Sequence, residues 1–138
     1  MSSFSGKVVR ALRQLAAEEP LRVQVTGQCM SPLLSEGAEV EVERRSFYWP
    51  GDVIAFRAGD DRLLIHRVIG VSMRHRRLRL VTQADSKTGP DGSVGLDQVI
   101  GKVCGGQCPD ELVHIPLAQR VASVGRFLRA AFRRLVRL

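Results

Sequence analysis

The sequence lacks the features that mark secreted and membrane-spanning proteins. Its three cysteines, Cys29, Cys104 and Cys108, are an odd number, which argues against a disulfide framework. Residues 1–20 carry scattered charges and no apolar core of a secretory signal. No stretch approaches the roughly 20 consecutive apolar residues that cross a bilayer. We therefore expect a cytoplasmic protein, peripheral at a membrane at most, whose thiols stay reduced.

Acidic residues are also scarce, because 14 of them stand against 21 lysines and arginines, for a formal charge of +7. An excess of positive charge indicates the kind of partner a protein binds and says little about its fold. Acidic peptides, anionic lipid surfaces and nucleic acid all carry the opposite charge. Hydrophobic residues make up 44% of the 138, which is enough for one compact domain to bury a core. No cofactor is needed to explain folding, and we predict none.

The hydrophobic pattern predicts a mainly β fold between two helices. Residues 4–17 have helical periodicity, with Val8, Leu12 and Leu15 on one face. Alternation and turn signals predict strands over residues 21–26, 38–43, 52–57, 63–72, 78–82 and 98–103. Turns are predicted at residues 59–61 and 87–93, which are rich in glycine and aspartate. The predicted organisation is a helix within 1–20, a β domain over 21–116 and a helix over 117–138.

Residues 117–138 contain no acid and predict a basic amphipathic helix. Its apolar stripe consists of Leu117, Val121, Val124, Leu128, Ala131, Phe132 and Leu135. Away from the stripe lie Arg126, Arg129, Arg133, Arg134 and Arg137. The helix either docks within the domain or against a partner, which we slightly favour because the stripe can extend the core, or lies on an anionic membrane. A nucleic-acid partner is not expected.

A candidate nucleophile lies in the turn after the first predicted strand, in the sequence GQCMSP at residues 27–32. Gly27 permits unusual backbone angles, and the proline stops the chain from continuing as a strand. A sharp turn of this kind exposes Cys29 and can direct backbone N–H groups toward a developing oxyanion. The candidate oxyanion residues are Gly27, Gln28 and Met30. A lone cysteine is otherwise a small buried hydrophobic side chain.

Four more motifs follow this turn in a fixed order. They are PGDVIAF at residues 50–56, LLIHRVIG at 63–70, TQADSK at 82–87 with a later Asp91, and QVIGKV at 98–103. Together with GQCMSP they resemble the signal peptidase I superfamily, in particular its archaeal and endoplasmic-reticulum-type branch. The resemblance covers residues 23–103, over half of the chain. It implies a bent, barrel-like antiparallel sheet and peptidase activity.

The resemblance also implies roles for individual residues. Cys29 stands where these enzymes usually place a nucleophilic serine, and His66 stands where this branch has its general base. Asp85 and Asp91 match its two acids, one of which orients the imidazole. We favour Asp91 for that role and Asp85 for holding the loop. A thiol beside an imidazole can form a thiolate–imidazolium pair, so Cys29 and His66 suit each other chemically.

The expected substrate is a peptide or precursor protein cut in the cytoplasm, for example at a leader segment. Two alternatives of the same fold remain: a self-cleaving regulator, and a non-catalytic module that grips an extended peptide by strand addition. The aromatic residues Phe47, Tyr48 and Trp49 either touch a bilayer, as the resemblance suggests, or have a core or hinge role. Cys104, Cys108 and His114 have poor spacing for zinc and lack an evident fourth ligand, so no metal is predicted.

Overall fold

The computed structural model describes residues 6–25, 34, 37–58, 63–85, 90 and 92–136. Helices in this part of the chain are Gly6–Glu18 (α1), Asp110–Val113 (α2) and Leu117–Val136 (α3). Strands are Leu21–Gln24 (β1), Glu39–Glu43 (β2), Val53–Arg57 (β3), Leu63–Arg74 (β4), Arg77–Gln83 (β5), Gly92–Gly95 (β6) and Val99–Gly106 (β7). The predicted mainly β fold with flanking helices is confirmed.

The seven strands form one curled antiparallel sheet, a half-barrel, in the order β1-β2-β7-β3-β4-β5-β6. β4 and β5 are joined by a two-residue turn in which His75 and Arg76 both have positive φ, at 51° and 64°. This is the backbone twist that a tight hairpin favours. The turn is exposed and basic, as the run of charged residues there suggests.

Three short elements were not predicted: β6, α2 and a 3-10 helix at Leu96–Gln98. Gly92 and Ser93, at the end of the predicted turn at 87–93, belong to β6, whereas residues 87–89 and 91 lie outside the described residues. Each of these elements has only three or four residues, too few for a recognisable hydrophobic pattern. The predicted turn at residues 59–61 is not described.

Each face of the sheet carries its own hydrophobic core because successive side chains of a strand point to opposite sides. The strand β3 shows this alternation: Val53 and Ala55 join one core, and Ile54 and Phe56 join the other. The first core also contains α1 and α2. In α1 the buried residues are Val9 and Ala16, so the predicted apolar face was displaced by about one residue.

The helix α3 packs against β4, but with the side opposite to the expected one. Ser123 is fully buried, and the Phe127 ring lies directly over Gly70 of β4. The large side chains of the apolar stripe, in contrast, are exposed. Our expectation that the stripe extends the core was therefore wrong. Of the described helices, including the 20-residue α3, none has the length and apolar character needed to traverse a bilayer.

Candidate functional site

His66 lies in the wall of a cleft of about 470 Å³. It is a residue of β4, paired with Ile54 of β3, and its side chain is buried because it points to the face of the second core. The imidazole packs edge-on against the Phe56 ring, with 5.6 Å between ring centroids and 75° between planes. Such an edge-to-face contact is a favourable aromatic geometry. The strand pairing and the Phe56 ring together fix the position of the candidate base.

The lining of the cleft is partly apolar, and it also carries polar and cationic side chains. Arg57 donates from Nη1 to the Gln98 side-chain oxygen at 3.1 Å. Arg79 donates to the Ser93 hydroxyl at 2.9 Å and to the Ser93 carbonyl at 2.8 Å. All four residues line the cleft beside His66. The arrangement offers cationic and hydrogen-bonding groups to a ligand with carbonyl or carboxylate oxygens.

Asp85 forms a bidentate ion pair with Arg67, the residue after His66. Its two carboxylate oxygens accept from Nε and Nη2 of Arg67, each at 2.8 Å. The third guanidinium nitrogen donates to the Gly51 carbonyl at 2.7 Å. Arg67 is only 1% exposed, so this charge is compensated inside the protein. Because Arg67 and His66 are adjacent on a strand, their side chains leave opposite faces of the sheet.

A second buried carboxylate, Asp52, lies just before β3. It accepts the Trp49 N–H at 2.8 Å and an Arg120 hydrogen bond at 3.0 Å, and Lys102 Nζ is 3.6 Å away. Arg120 also donates to the Pro50 carbonyl at 3.1 Å. Asp52 thus connects the turn before β3 with β7 and α3.

The remaining predicted site residues lie outside the described part of the chain. These are Cys29, Asp91, Gly27, Gln28 and Met30. The ends of the segment that holds Cys29 are fixed: Val25 and Gly37 are joined by a 2.9 Å backbone hydrogen bond, and Leu34 is buried in the first core. The predicted pairing of Cys29 with His66 stays a prediction.

The thiol pKa is raised in the other two cysteines. Cys104 and Cys108 are free thiols of intermediate exposure. Burial, and then the carboxylates of Glu43 and Glu41, raise the pKa of Cys104. Burial, and then Asp110, raises the pKa of Cys108. Within the described residues no group of three or more His, Cys, Asp or Glu side chains is placed to hold a metal ion.

The aromatic residues divide between core and surface. Tyr48 is buried, its oxygen accepts the Arg45 N–H at 3.1 Å, and burial raises the pKa of its phenol. Phe47 packs partly against the second core. Trp49, with its ring centroid 5.0 Å from that of Phe47, is 62% exposed. The core interpretation is confirmed for Tyr48, and contact of Trp49 with a bilayer stays a prediction.

Sequence reasoning assigned no role to Asp52 or Arg67, although both lay inside motifs it had singled out. The signal was present: each is a charged residue within an otherwise apolar strand segment. Since charged side chains are rarely buried without a partner, such a position predicts a buried ion pair. The identity of the partners depended on the tertiary fold.

Comparison with known proteins found no protein-family model that matches the chain and no curated protein that matches its sequence.

Proposed function

We propose that this chain is a peptidase whose nucleophile is Cys29 and whose general base is His66. The observation that carries the proposal is the position of His66 in the wall of the cleft, held by strand pairing and by the Phe56 ring. A general base has to be fixed beside a space that admits substrate. The assignment of Cys29 as the nucleophile rests on the order of the five sequence motifs.

In the proposed reaction the Cys29 thiol gives its proton to His66 and the thiolate sulfur bonds to the peptide carbonyl carbon. The C–N bond then breaks, and the imidazolium transfers its proton to the departing amine. Water hydrolyses the resulting thioester, which returns the thiol and releases a carboxylate. Gly27, Gln28 and Met30 are the candidate residues around the oxyanion.

Of the two candidate acids, we assign the orientation of His66 to Asp91. Both oxygens of Asp85 accept hydrogen bonds from Arg67, whose side chain leaves the sheet on the face opposite to His66. Asp85 is thus suited to fix the end of β5 against β4. This leaves Asp91 as the residue proposed to hold the imidazole in one tautomer.

The proposed substrate is a peptide or precursor protein in the cytoplasm. The arginines Arg57 and Arg79 beside the cleft favour a chain that presents carbonyl and carboxylate oxygens there. The non-catalytic alternative also has a supporting observation, because β6 ends the described sheet next to the cleft and an extended peptide could pair with it.

The test uses the full chain and a peptide library, with new termini identified by mass spectrometry. We expect the wild type to generate new termini, and Cys29→Ala and His66→Ala to generate none. The matched controls are Cys104→Ala and His75→Ala, which remove the same side chains elsewhere and should cleave normally. A His66→Ala protein with wild-type turnover would exclude the proposed base. A wild type that binds peptides without cutting them would favour the binding module.

A further inference from the structure

The apolar stripe of α3 forms an exposed ridge. Its large side chains range in exposure from 39% for Val124 to 77% for Leu117, and Ala131 is also exposed. At about 1.5 Å per residue the helix is about 30 Å long. A continuous apolar surface of this length on a folded domain marks a place where something else binds.

The ridge points outward because the opposite side of α3 is fixed to the domain. Arg120 binds Asp52 at 3.0 Å, and Arg126 lies 4.0 Å from Asp85. Phe127 covers Gly70, which has no side chain to displace it: a Cβ there would lie 2.5 Å from the ring. These contacts set the rotation of the helix about its axis. The orientation of the stripe is therefore built into the fold.

We propose that the α3 stripe docks the protein on an anionic membrane surface, with the helix parallel to the bilayer plane. The charge of the helix identifies this occupant. Six arginines and no acid occur in residues 117–138, and Arg129, Arg133 and Arg134 are exposed on the helix away from the stripe. Arginine side chains can extend their charge to lipid phosphates while their stems cover apolar surface. The inference does not depend on the proposed peptidase activity.

A bilayer fits this surface better than a protein partner does. Fluid acyl chains adapt to exposed apolar side chains on a basic helix, so this surface needs no partner of complementary shape. The formal charge of +7 for the whole chain adds attraction to an anionic surface.

Trp49 extends the apolar surface at the start of α3. It lines an apolar groove of about 590 Å³ together with Pro50, Leu117, Val121 and Val124. Tryptophan is enriched at membrane–water interfaces. It is the single tryptophan of the chain, so its fluorescence reports on this surface alone.

The test measures binding of the full chain to vesicles by sedimentation and by Trp49 fluorescence. The vesicles contain equal amounts of phosphatidylcholine and phosphatidylglycerol, or phosphatidylcholine alone. We expect the protein to sediment with the anionic vesicles only, with a blue shift of the tryptophan emission. Raising the salt to about 1 M, where the screening length falls to about 3 Å, should release it.

Two variants examine the two components of the surface. R129Q/R133Q/R134Q removes three charges, each worth roughly fivefold in binding, so binding should fall about 100-fold. L128Q/F132Q removes apolar contacts and should weaken binding by at least about tenfold. Residues of α3 that contact β4 are unchanged, so both variants should retain the wild-type circular dichroism spectrum.

Matched controls change the same residue types elsewhere on the surface. R74Q/R76Q/R77Q lowers the net charge equally at the β4–β5 turn, and L15Q/M73Q removes two comparably exposed apolar side chains. Both should bind within about threefold of the wild type. Equal losses in the control and α3 variants would overturn the proposal in favour of non-specific attraction. Absence of vesicle binding would also overturn the proposal. If the protein instead forms a dimer that L128Q/F132Q disrupts, the stripe binds a second copy of the chain.

Discussion

The ion pair between Arg67 and Asp85 predicts a large loss of stability in Asp85→Ala. That substitution leaves the guanidinium of Arg67, which is 1% exposed, with the Gly51 carbonyl and without a carboxylate. Removing one partner of a buried pair typically costs about 3–5 kcal/mol, because an uncompensated charge stays in the interior. Arg126 does not relieve this, since it adds a further positive charge nearby. For a domain with about 5–15 kcal/mol of total stability, the loss is severe.

The assay is urea unfolding followed by circular dichroism. With a denaturant dependence of about 2 kcal/mol per M for a domain of this size, the midpoint should fall by roughly 2 M. Asp110→Ala is the control, because Asp110 is exposed in the first turn of α2, and it should leave the midpoint nearly unchanged. The double variant Arg67→Ala/Asp85→Ala should lose less than the sum of the single losses, since it removes both charges.

Two results would contradict a stabilising ion pair between Arg67 and Asp85. An Asp85→Ala midpoint equal to that of Asp110→Ala would show that the carboxylate does not stabilise the buried guanidinium. Strict additivity in the double variant would show that the two side chains do not interact energetically.

Two further predictions follow from packing and from thiol acidity. Gly70→Val should lower stability by about 1–3 kcal/mol in urea unfolding because its side chain collides with Phe127, and Phe127→Ala in the same chain should offset part of that loss. A Gly70→Val protein as stable as the wild type would contradict the close packing of α3. Iodoacetamide labelling of Cys104 and Cys108 should be slow at neutral pH and rise steeply with increasing pH, because their raised pKa values keep both thiols protonated. Fast labelling of either at neutral pH would contradict those environments.

The strands that sequence alone predicted best have one buried face and one solvent-exposed face. In residues 39–43 glutamates alternate with Val40 and Val42, and both valines are fully buried in β2. Such alternation identifies the strand and its buried face together. The short strand β6, by contrast, has glycine at two of its four positions, so it shows a turn-like composition.

Of the predicted catalytic residues, His66 and Asp85 lie in the described part of the chain, and sequence alone did not predict their contacts. His66 stood out in the LLIHRVIG motif and lies in the cleft, whereas its neighbour Arg67 had no predicted partner. The ion pair joins residues 18 positions apart through the register of the β4–β5 hairpin, in which Arg67 is paired with Gln83. That register includes a shift between Val68 and Gly70, which the hydrophobic pattern did not predict. The orientation of α3 was likewise not predictable, since amphipathicity identifies an apolar face without specifying what it contacts.

The position of β7 has a consequence for how the chain folds as it is synthesised. β7 is the last described strand in sequence, yet it lies in the middle of the sheet between β2 and β3. Until residue 106 has left the ribosome, the β1–β2 hairpin and the β3–β6 meander each expose an unpaired inner edge. Closing the sheet joins β2 to a strand about 60 residues away, and such non-local pairing slows folding. We therefore expect the half-barrel to form late, when β7 pairs with β2 and β3.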